Sequence, residues 1–512
     1  MGIWNRMLLL VLLSITFFKL NAQEVEKYSS EENPPNIVVF MVDDLGWQDT
    51  SVPFWNKKTP FNQLYETPNM ERLAKEGMKF TQAYATPVCS PTRVSFMTGM
   101  NAARHCVTNW TLEKNKATDY EDEDLSFPAW NVNGISPEEG VERTVLATTL
   151  PQILKDNGYQ TIHVGKAHFG AIDTPGENPL NLGFTVNIAG HAAGSPHSYL
   201  GTEDFGNNGD KKHLNDVPGL EEYYGKDIFL TEALTREALI ALDSVKSKPF
   251  FLYMAHYAVH IPLYGDNRYL QKYIDKGLDE EEAKYASMVE GMDKSLGDIM
   301  NYLDENDLAE NTIILFMSDN GGLSAHKRGG ELHTHNKPLA SGKGSMYEGG
   351  IREPMLVKWP RVIKPESVTN EYLIIEDFFP TILEMTGIEK VETIQQVDGK
   401  SFVPLIKKNK TSNNRSLFWH YPNRWGGNGP GIGTSSMIRK GDWKLIYFYK
   451  DQHFELYNIP NDIGEENNLS HKERKVVSEL ASELTNYLKQ VKAQLPIDKK
   501  TKKTVKYPAE TL

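Results

Sequence analysis

The sequence predicts an α/β fold, a large and mainly parallel sheet flanked by helices, with a small α+β domain at the C-terminal end. Three observations point there. Short apolar runs rich in β-branched and aromatic residues recur along the chain, each followed by a polar or Gly-rich loop. Amphipathic helical patterns separate those runs, the alternation expected of parallel strands joined by helical crossovers. After about residue 405 the order changes to strands first and a helix last.

The expected strands are 37–42 (IVVFMV), 160–164 (QTIHV), 250–254 (FFLYM), 312–317 (TIILFM) and 355–359 (MLVKW). Residues 282–303 place Ala286, Met288, Val289, Met292, Leu296, Ile299, Met300 and Leu303 at a spacing that keeps one helical face buried. Shorter helices are expected at 69–76, 149–156 and 377–386, where Gly77, Gly158 and Gly387 stand at the C-terminal ends. Polar KKNKTSNN (407–414) marks a break; beyond it come MIRKGDWKLIYFY, FELYNI and a helical stretch over 473–494. The expected organisation is a signal peptide at 1–22, a linker at 23–35, the main α/β domain at 36–405, an antiparallel sheet plus helix at 406–497, and a polar tail at 498–512.

The signal peptide rests on Arg6, the apolar run MLLLVLLSITFF and small Ala22 as a cleavage point. The run is short for a span of about 20 residues, so the expectation is an exported protein, periplasmic or secreted, without stable membrane insertion after cleavage. A net charge of −13 and the lack of a basic stripe with interleaved aromatics argue against nucleic acid as a partner. Two cysteines, Cys89 and Cys106, cannot staple 512 residues, so stability must come from the core.

Several polar clusters sit where strands end, the place ligand crevices form in open α/β sheets. Asp43 and Asp44 follow IVVFMV; Asp319 and Asn320 follow TIILFMS and precede two glycines. Such hard oxygens suit Ca²⁺ or Mg²⁺, and adjacent carboxylates need a cation to offset their repulsion; each pair taken alone reads equally as a turn. Lys166 and His168 stand in GKAHFG, His256 and His260 in FFLYMAHYAVHIP, and Lys343 in the Gly-rich SGKGSMYEGG. Lysine can neutralise an anion and histidine can move protons. CSPTR reads as a nucleophile at a helix start, with Pro91 at an early helical position where its missing N–H costs nothing.

CSPTR together with the Asp-Asp, GK-x-H, SDNG and Gly-Lys-Gly motifs resembles the formylglycine-dependent sulfatases of the alkaline phosphatase superfamily, from Asn36 to about Trp359 in the expected order. The resemblance implies that a maturation enzyme oxidises Cys89 to formylglycine. It implies one divalent metal, Ca²⁺ being usual in the family, held by Asp43, Asp44, Asp319, Asn320 and the modified Cys89. Arg93 would hold the modified side chain, Lys166 and Lys343 the sulfate oxygens; His168 would serve the formylglycine hydroxyls, and His260 would protonate the leaving group. His256 matches no motif and reads as a wall or structural residue. Ala167 and Phe169 depart from the Trp and Leu common in the family, which bears on the substrate that fits.

The implied activity is sulfuric ester hydrolysis on a sulfated glycan, a polysaccharide or its oligosaccharides. Candidate substrate contacts are His420, Tyr421, Arg424 and Trp425 in FWHYPNRWGGNGPG, and His191 in GHAAGSPHSY. Two other readings remain: a phosphomonoesterase or phosphodiesterase on the same fold, and a glycan-binding homologue without catalysis.

Overall fold

Strand β1 (Asn36–Val42) is buried at every position, because both of its faces are covered. Ile37, Val39 and Met41 point into one apolar layer and Val38, Phe40 and Val42 into another, the two-residue period of a central strand. The computed structural model describes residues 34–209, 211–389, 391–408 and 415–512. The expected signal peptide and nearly all of the linker, as well as most of the polar break after residue 405, lie outside them.

Among the described residues, eight strands form the main sheet: β1, β2 (Met78–Tyr84), β3 (Gln160–Gly165), β4 (Val186–Ile188), β5 (Phe250–Ala255), β6 (Thr312–Ser318), β7 (Arg352–Lys358) and β8 (Ser367–Ile374), in the order β8-β2-β7-β6-β1-β5-β3-β4. Pairing is parallel except along β7, which runs antiparallel to both β2 and β6. All five expected strands are present, and the sheet is mixed by virtue of β7 alone. β6, β1, β5 and β3 are consecutive neighbours running the same way, so their carboxyl ends open onto one crevice.

Helices α1 (Pro68–Glu76), α4 (Leu230–Val245) and α5 (Glu280–Glu305) cover one face with Met70, Leu73, Leu234, Leu242, Met292 and Leu296. Helices α2 (Cys89–Thr98), α3 (Leu150–Asp156) and α6 (Phe378–Met385) cover the other with Val94, Phe96, Leu154, Phe378 and Ile382. α5 starts at an N-cap, Asp279, whose side chain accepts from the Glu282 N–H, with three glutamates in the first turn to complement the helix dipole.

A second, antiparallel sheet of β9 (Ser416–Tyr421), β10 (Ser435–Lys440), β11 (Trp443–Phe448) and β12 (His453–Asn458) follows. Its Trp419, Met437 and Ile446 join the core over the main sheet, while Ile438, Leu445 and Leu456 pack on α7 (Arg474–Gln490). It is therefore a subdomain wedged between the main core and its own helix, and residues Pro35–Leu512 form one compact unit. The segment after 498, expected as a polar tail, is tied down instead: Ile497–Asp498 pairs with Leu125–Ser126, and Val505 is buried. No helix of the described residues is long and apolar enough to cross a membrane.

Glu376, buried just before α6, accepts from Asn101 Nδ2 at 2.8 Å through Oε1, while Oε2 has no partner. Burial, and then neighbouring Asp377, push its pKa from 4.5 up to about 8. Between those values the native chain binds a proton that the unfolded chain has released. Stability must therefore fall as pH rises across that window, by up to about 1.4 kcal/mol per pH unit. Glu376→Gln keeps the acceptor for Asn101 and removes the titration. Urea unfolding at pH 5.5 and 8 is expected to show a smaller loss in the variant than in the parent; equal losses would clear Glu376 of the effect.

Candidate active site

The crevice at the strand ends gathers the polar groups singled out in the sequence. β1 delivers Asp43 and Asp44; a bond from the Val259 N–H to the Asp43 carbonyl (2.7 Å) and one from Asp43 N–H to the Ala258 carbonyl (3.0 Å) lock this turn to the loop that carries His260. β6 delivers Asp319 and Asn320, and Asn320 Nδ2 donates to Asp44 Oδ1 at 2.7 Å. β3 ends on Gly165, at φ 94°, where a Cβ would overlap the Ala255 carbonyl. This close approach lets the Lys166 N–H donate to the same carbonyl at 2.7 Å and fixes where the lysine enters the pocket.

Lys166 Nζ lies 2.6 Å from Asp43 Oδ2, and Lys343 Nζ 2.7 Å from Asp44 Oδ1. Arg93 ties two strand ends together, donating from Nε to Asp319 Oδ2 (2.9 Å) and from Nη1 to the Lys166 carbonyl (2.7 Å). These six side chains are all buried. Three carboxylates thus face three fixed cations, which leaves the pocket nearly balanced before any ion or substrate enters.

The oxygens left over show what fits. Asp43 Oδ1, Asp44 Oδ2 and Asn320 Oδ1 are buried and accept no hydrogen bond. Such orphaned acceptors are costly unless a cation takes them. Asp43, Asp44 and His260 also place one ligand atom each within 4.8 Å of one another. Three hard oxygens of this kind suit a divalent cation such as Ca²⁺ or Mg²⁺. Asp319 is more committed, with Oδ2 held by Arg93 and Oδ1 reached by the Asp44 N–H at 3.4 Å. Without a cation, burial and then Asp319 push the Asp43 pKa well up.

Cys89 opens α2, buried, and within electrostatic reach of Lys166 and Lys343. Burial raises its thiol pKa despite those lysines. Neither Cys89 nor Cys106 is in a disulfide, so Cys106 does not tie up the Cys89 thiol.

The two histidines differ in which nitrogen faces inward. His168 Nε2 meets the Thr111 carbonyl at 2.8 Å and must carry the hydrogen, leaving Nδ1, buried and unpartnered, as a base. His260 Nδ1 meets the Ile261 carbonyl at 2.7 Å, so Nε2 is the open nitrogen, 3.7 Å from Asp44 Oδ2. Burial, followed by Lys343, lowers the His260 pKa to about 3, and burial and Lys166 lower that of His168 well below its ordinary value. His256 Nε2 pairs with Ser295 Oγ at 2.8 Å, away from this set, as befits a structural residue.

The proposed substrate contacts divide. His420 requires correction: it is buried, with Nδ1 on Ser436 Oγ (2.6 Å) and Nε2 on the Gln494 carbonyl (2.8 Å), so both ring nitrogens are spent on packing the second sheet. Arg424 gives Nη1 to the Glu121 carbonyl (2.7 Å) and staples its loop. His191 stays near the pocket: its carbonyl accepts the His168 N–H, and its Nε2 is buried without a partner.

The second sheet reaches the lysine loop directly. Ser345 Oγ donates to the Pro430 carbonyl (2.9 Å), Tyr347 OH to Glu455 Oε2 (2.8 Å), and the Glu348 N–H to Glu465 Oε2 (2.6 Å). The Glu348 carboxylate holds Lys444 (3.0 Å), Arg352 (3.2 Å) and Tyr84 OH (2.7 Å). The loop that carries Lys343 is therefore anchored from the C-terminal subdomain just beyond the lysine. Glu348→Ala strands buried cations and is expected to cost about 3–5 kcal/mol, measured by denaturant unfolding; a loss under about 1 kcal/mol would mean the network contributes little.

Sequence reasoning missed a buried group beneath the carboxylates. Arg328 binds Asp49 (2.9 Å) and Glu282 (2.7 Å), and Tyr285 OH donates to Asp49 Oδ2 (2.7 Å) and approaches the Asp44 carbonyl (3.2 Å). It braces the Asp43–Asp44 turn, and no motif in KRGG signals that Arg328 is buried.

Residues 35–388 match the family model described as Sulfatase, and residues 341–494 the one described as N-sulphoglucosamine sulphohydrolase, C-terminal. A protein called Sulfatase from Formosa agariphila is 30% identical over 90% of this chain and 88% of its own. The N-acetylgalactosamine-6-sulfatase of Homo sapiens is 30% identical over 77% of this chain and 69% of its own. Among solved structures, Ps i-CgsB, seen also in complex with k-i-k-neocarrahexaose, aligns with a TM-score of 0.70 at 27% identity, covering 89% of this chain and 93% of that one. Motif order, fold and pocket agree with these matches, and the chain belongs to the sulfatase family.

Proposed function

We propose that the protein removes sulfate from a sulfated carbohydrate, a polysaccharide or its oligosaccharides, with residue 89 acting as formylglycine beside one divalent cation, Ca²⁺. The observation that carries this reading is the trio of unpartnered oxygens, Asp43 Oδ1, Asp44 Oδ2 and Asn320 Oδ1. They adjoin two buried lysines and a cysteine at a helix N-terminus. Asp43, Asp44, Asn320 and Asp319 would hold the cation, which supplies Lewis-acid stabilisation of charge on the sulfate oxygens. As a hydrate, formylglycine supplies two hydroxyls, one to attack sulfur and one to expel the sulfate.

The chain's own residues do the rest. Lys166 and Lys343, paired with Asp43 and Asp44 in this structure, are free to turn to sulfate oxygens once a cation neutralises those carboxylates. A balanced pocket plus a divalent cation is net positive, which reconciles an anionic substrate with a chain of charge −13. His168 Nδ1 is set to accept a proton from a residue 89 hydroxyl. His260 would protonate the leaving oxygen from Nε2; to do so it must be doubly protonated, a form that burial opposes and a bound sulfate ester favours. Arg93 keeps Asp319 and the Lys166 turn in register.

The carbohydrate class is supported by the names of the relatives, an N-acetylgalactosamine-6-sulfatase and a protein seen with a neocarrahexaose. The polar, basic-then-apolar start of the chain supports export, and a maturation enzyme would be the required partner. Against the phosphatase reading stands Cys89 in CSPTR, where phosphatases on this scaffold usually carry an unmodified Ser or Thr. Assays for released sulfate and phosphate on N-acetylgalactosamine 6-sulfate, k-i-k-neocarrahexaose and matched phosphate esters test the proposal. Sulfate release is expected to dominate; phosphate release alone would overturn it.

A further inference from the structure

Beside Lys343 the surface turns aromatic. Trp425, in the loop after β9, lies against the backbone of Gly344, where a Cβ would overlap the indole; Gly344 sits at φ 85°. His326 meets the same indole with ring centroids 5.7 Å apart and planes at 37°. It lies within electrostatic reach of Lys343 and Asp44, so the pair borders the pocket that holds the charged groups. Trp425 and His326 are only partly buried.

The aromatic surface continues outward. Gly426 packs on the Tyr120 ring, the Tyr120 N–H donates to the Arg424 carbonyl at 3.2 Å, and Tyr120 is 57% exposed. On the adjoining loop Leu332 is 50% exposed, next to His333, whose ring abuts Gly429. Three segments far apart in sequence thus bring exposed rings to one side of the lysine, and the indole N–H finds no acceptor among the described residues. Core packing alone does not require rings left half open beside a charged pocket.

We propose that Trp425 and His326, extended by Tyr120, form a stacking platform for the sugar ring adjoining the one that bears the sulfate ester, so that the enzyme prefers oligosaccharides over sulfated monosaccharides. A pyranose presents a flat C–H face that packs on indole and phenol rings, while its hydroxyls meet the polar edges, here the indole N–H, the Tyr120 hydroxyl and the His326 nitrogens. The platform is uncharged at neutral pH, since burial and then Lys343 lower the His326 pKa, so it reads ring shape and leaves the anion to Lys166 and Lys343. The proposal rests on the carbohydrate sulfatase reading above.

Binding measured by calorimetry separates the two. The titrants are the di- and hexasaccharides of the neocarrageenan and chondroitin 6-sulfate series, with each hexasaccharide also in chemically desulfated form. The platform predicts tighter binding of at least one hexasaccharide than of its disaccharide, and retained binding of its desulfated form. Trp425→Ala and His326→Ala should each weaken hexasaccharide affinity by about ten-fold and disaccharide affinity by far less. Tyr120→Ala, on an exposed ring, tests the outer edge without disturbing the Gly344 contact and should give a smaller loss of the same pattern. No length preference in either series, or equal losses for short and long ligands in all three variants, overturns the platform. Hexasaccharide binding without any sulfate release would leave the platform standing and refute the proposed function instead.

Discussion

Cys89→Ala should abolish sulfate release, by at least about four orders of magnitude, since deleting a covalent nucleophile leaves only binding and electrostatic contributions. An unmodified thiol would be a poor substitute for the proposed formylglycine. Burial raises its pKa, so the unconverted side chain stays protonated and weakly nucleophilic. The variant should still fold, because Cys89 is a small residue at the first position of α2 and loses one buried heavy atom, worth about 1 kcal/mol. Sulfate quantified after long incubation, beside a thermal melt, checks both halves. Residual activity above about 1% in a folded Cys89→Ala protein would place the nucleophile elsewhere.

Chelation should have the second largest effect, on activity and stability together. With the ion gone, Asp43 Oδ1, Asp44 Oδ2 and Asn320 Oδ1 lose their ligand, and Lys166 and Lys343 fall back onto Asp43 and Asp44 as seen here. The lysines are then occupied by carboxylates. Removing a Lewis acid worth several kcal/mol, about 4, slows the reaction about 10³-fold. Restoring Ca²⁺ at a hundred-fold excess over its dissociation constant should add about 2.7 kcal/mol of stability. A melt with chelator and with Ca²⁺, repeated on Asp44→Asn, reads this directly. The shift should shrink sharply in the variant; an unchanged shift would put the ion at another site.

The strand ends made most of the pocket legible, because β6, β1 and β5 are covered on both faces and read as continuous apolar runs, with the shorter, mixed run of β3 beside them. Once those runs are parallel neighbours, the groups that follow them, Asp43, Lys166, His260 and Asp319, must meet. β2 and β8 escaped notice for the opposite reason. MKFTQAY carries Lys79 and Gln82 at half-exposed positions, and SVTNEYLI is an edge strand with Val368 and Asn370 in solvent. β7 looked like the other strands because burial is blind to direction. His420 misled because a histidine beside aromatics suggests a sugar contact, whereas its two nitrogens satisfy Ser436 and Gln494 inside the fold. The Arg328–Asp49–Glu282 brace and the Trp425–His326 contact were hidden since each joins segments that only tertiary packing brings together.

The central claim is that residue 89 is a converted cysteine on which sulfate ester hydrolysis depends. Peptide mass spectrometry across CSPTR, on preparations made with and without a formylglycine-generating enzyme and assayed in parallel for sulfate release, tests it most directly. The aldehyde fraction and the specific activity should rise together from near zero. Full activity in protein whose Cys89 is entirely an unmodified thiol would contradict the account.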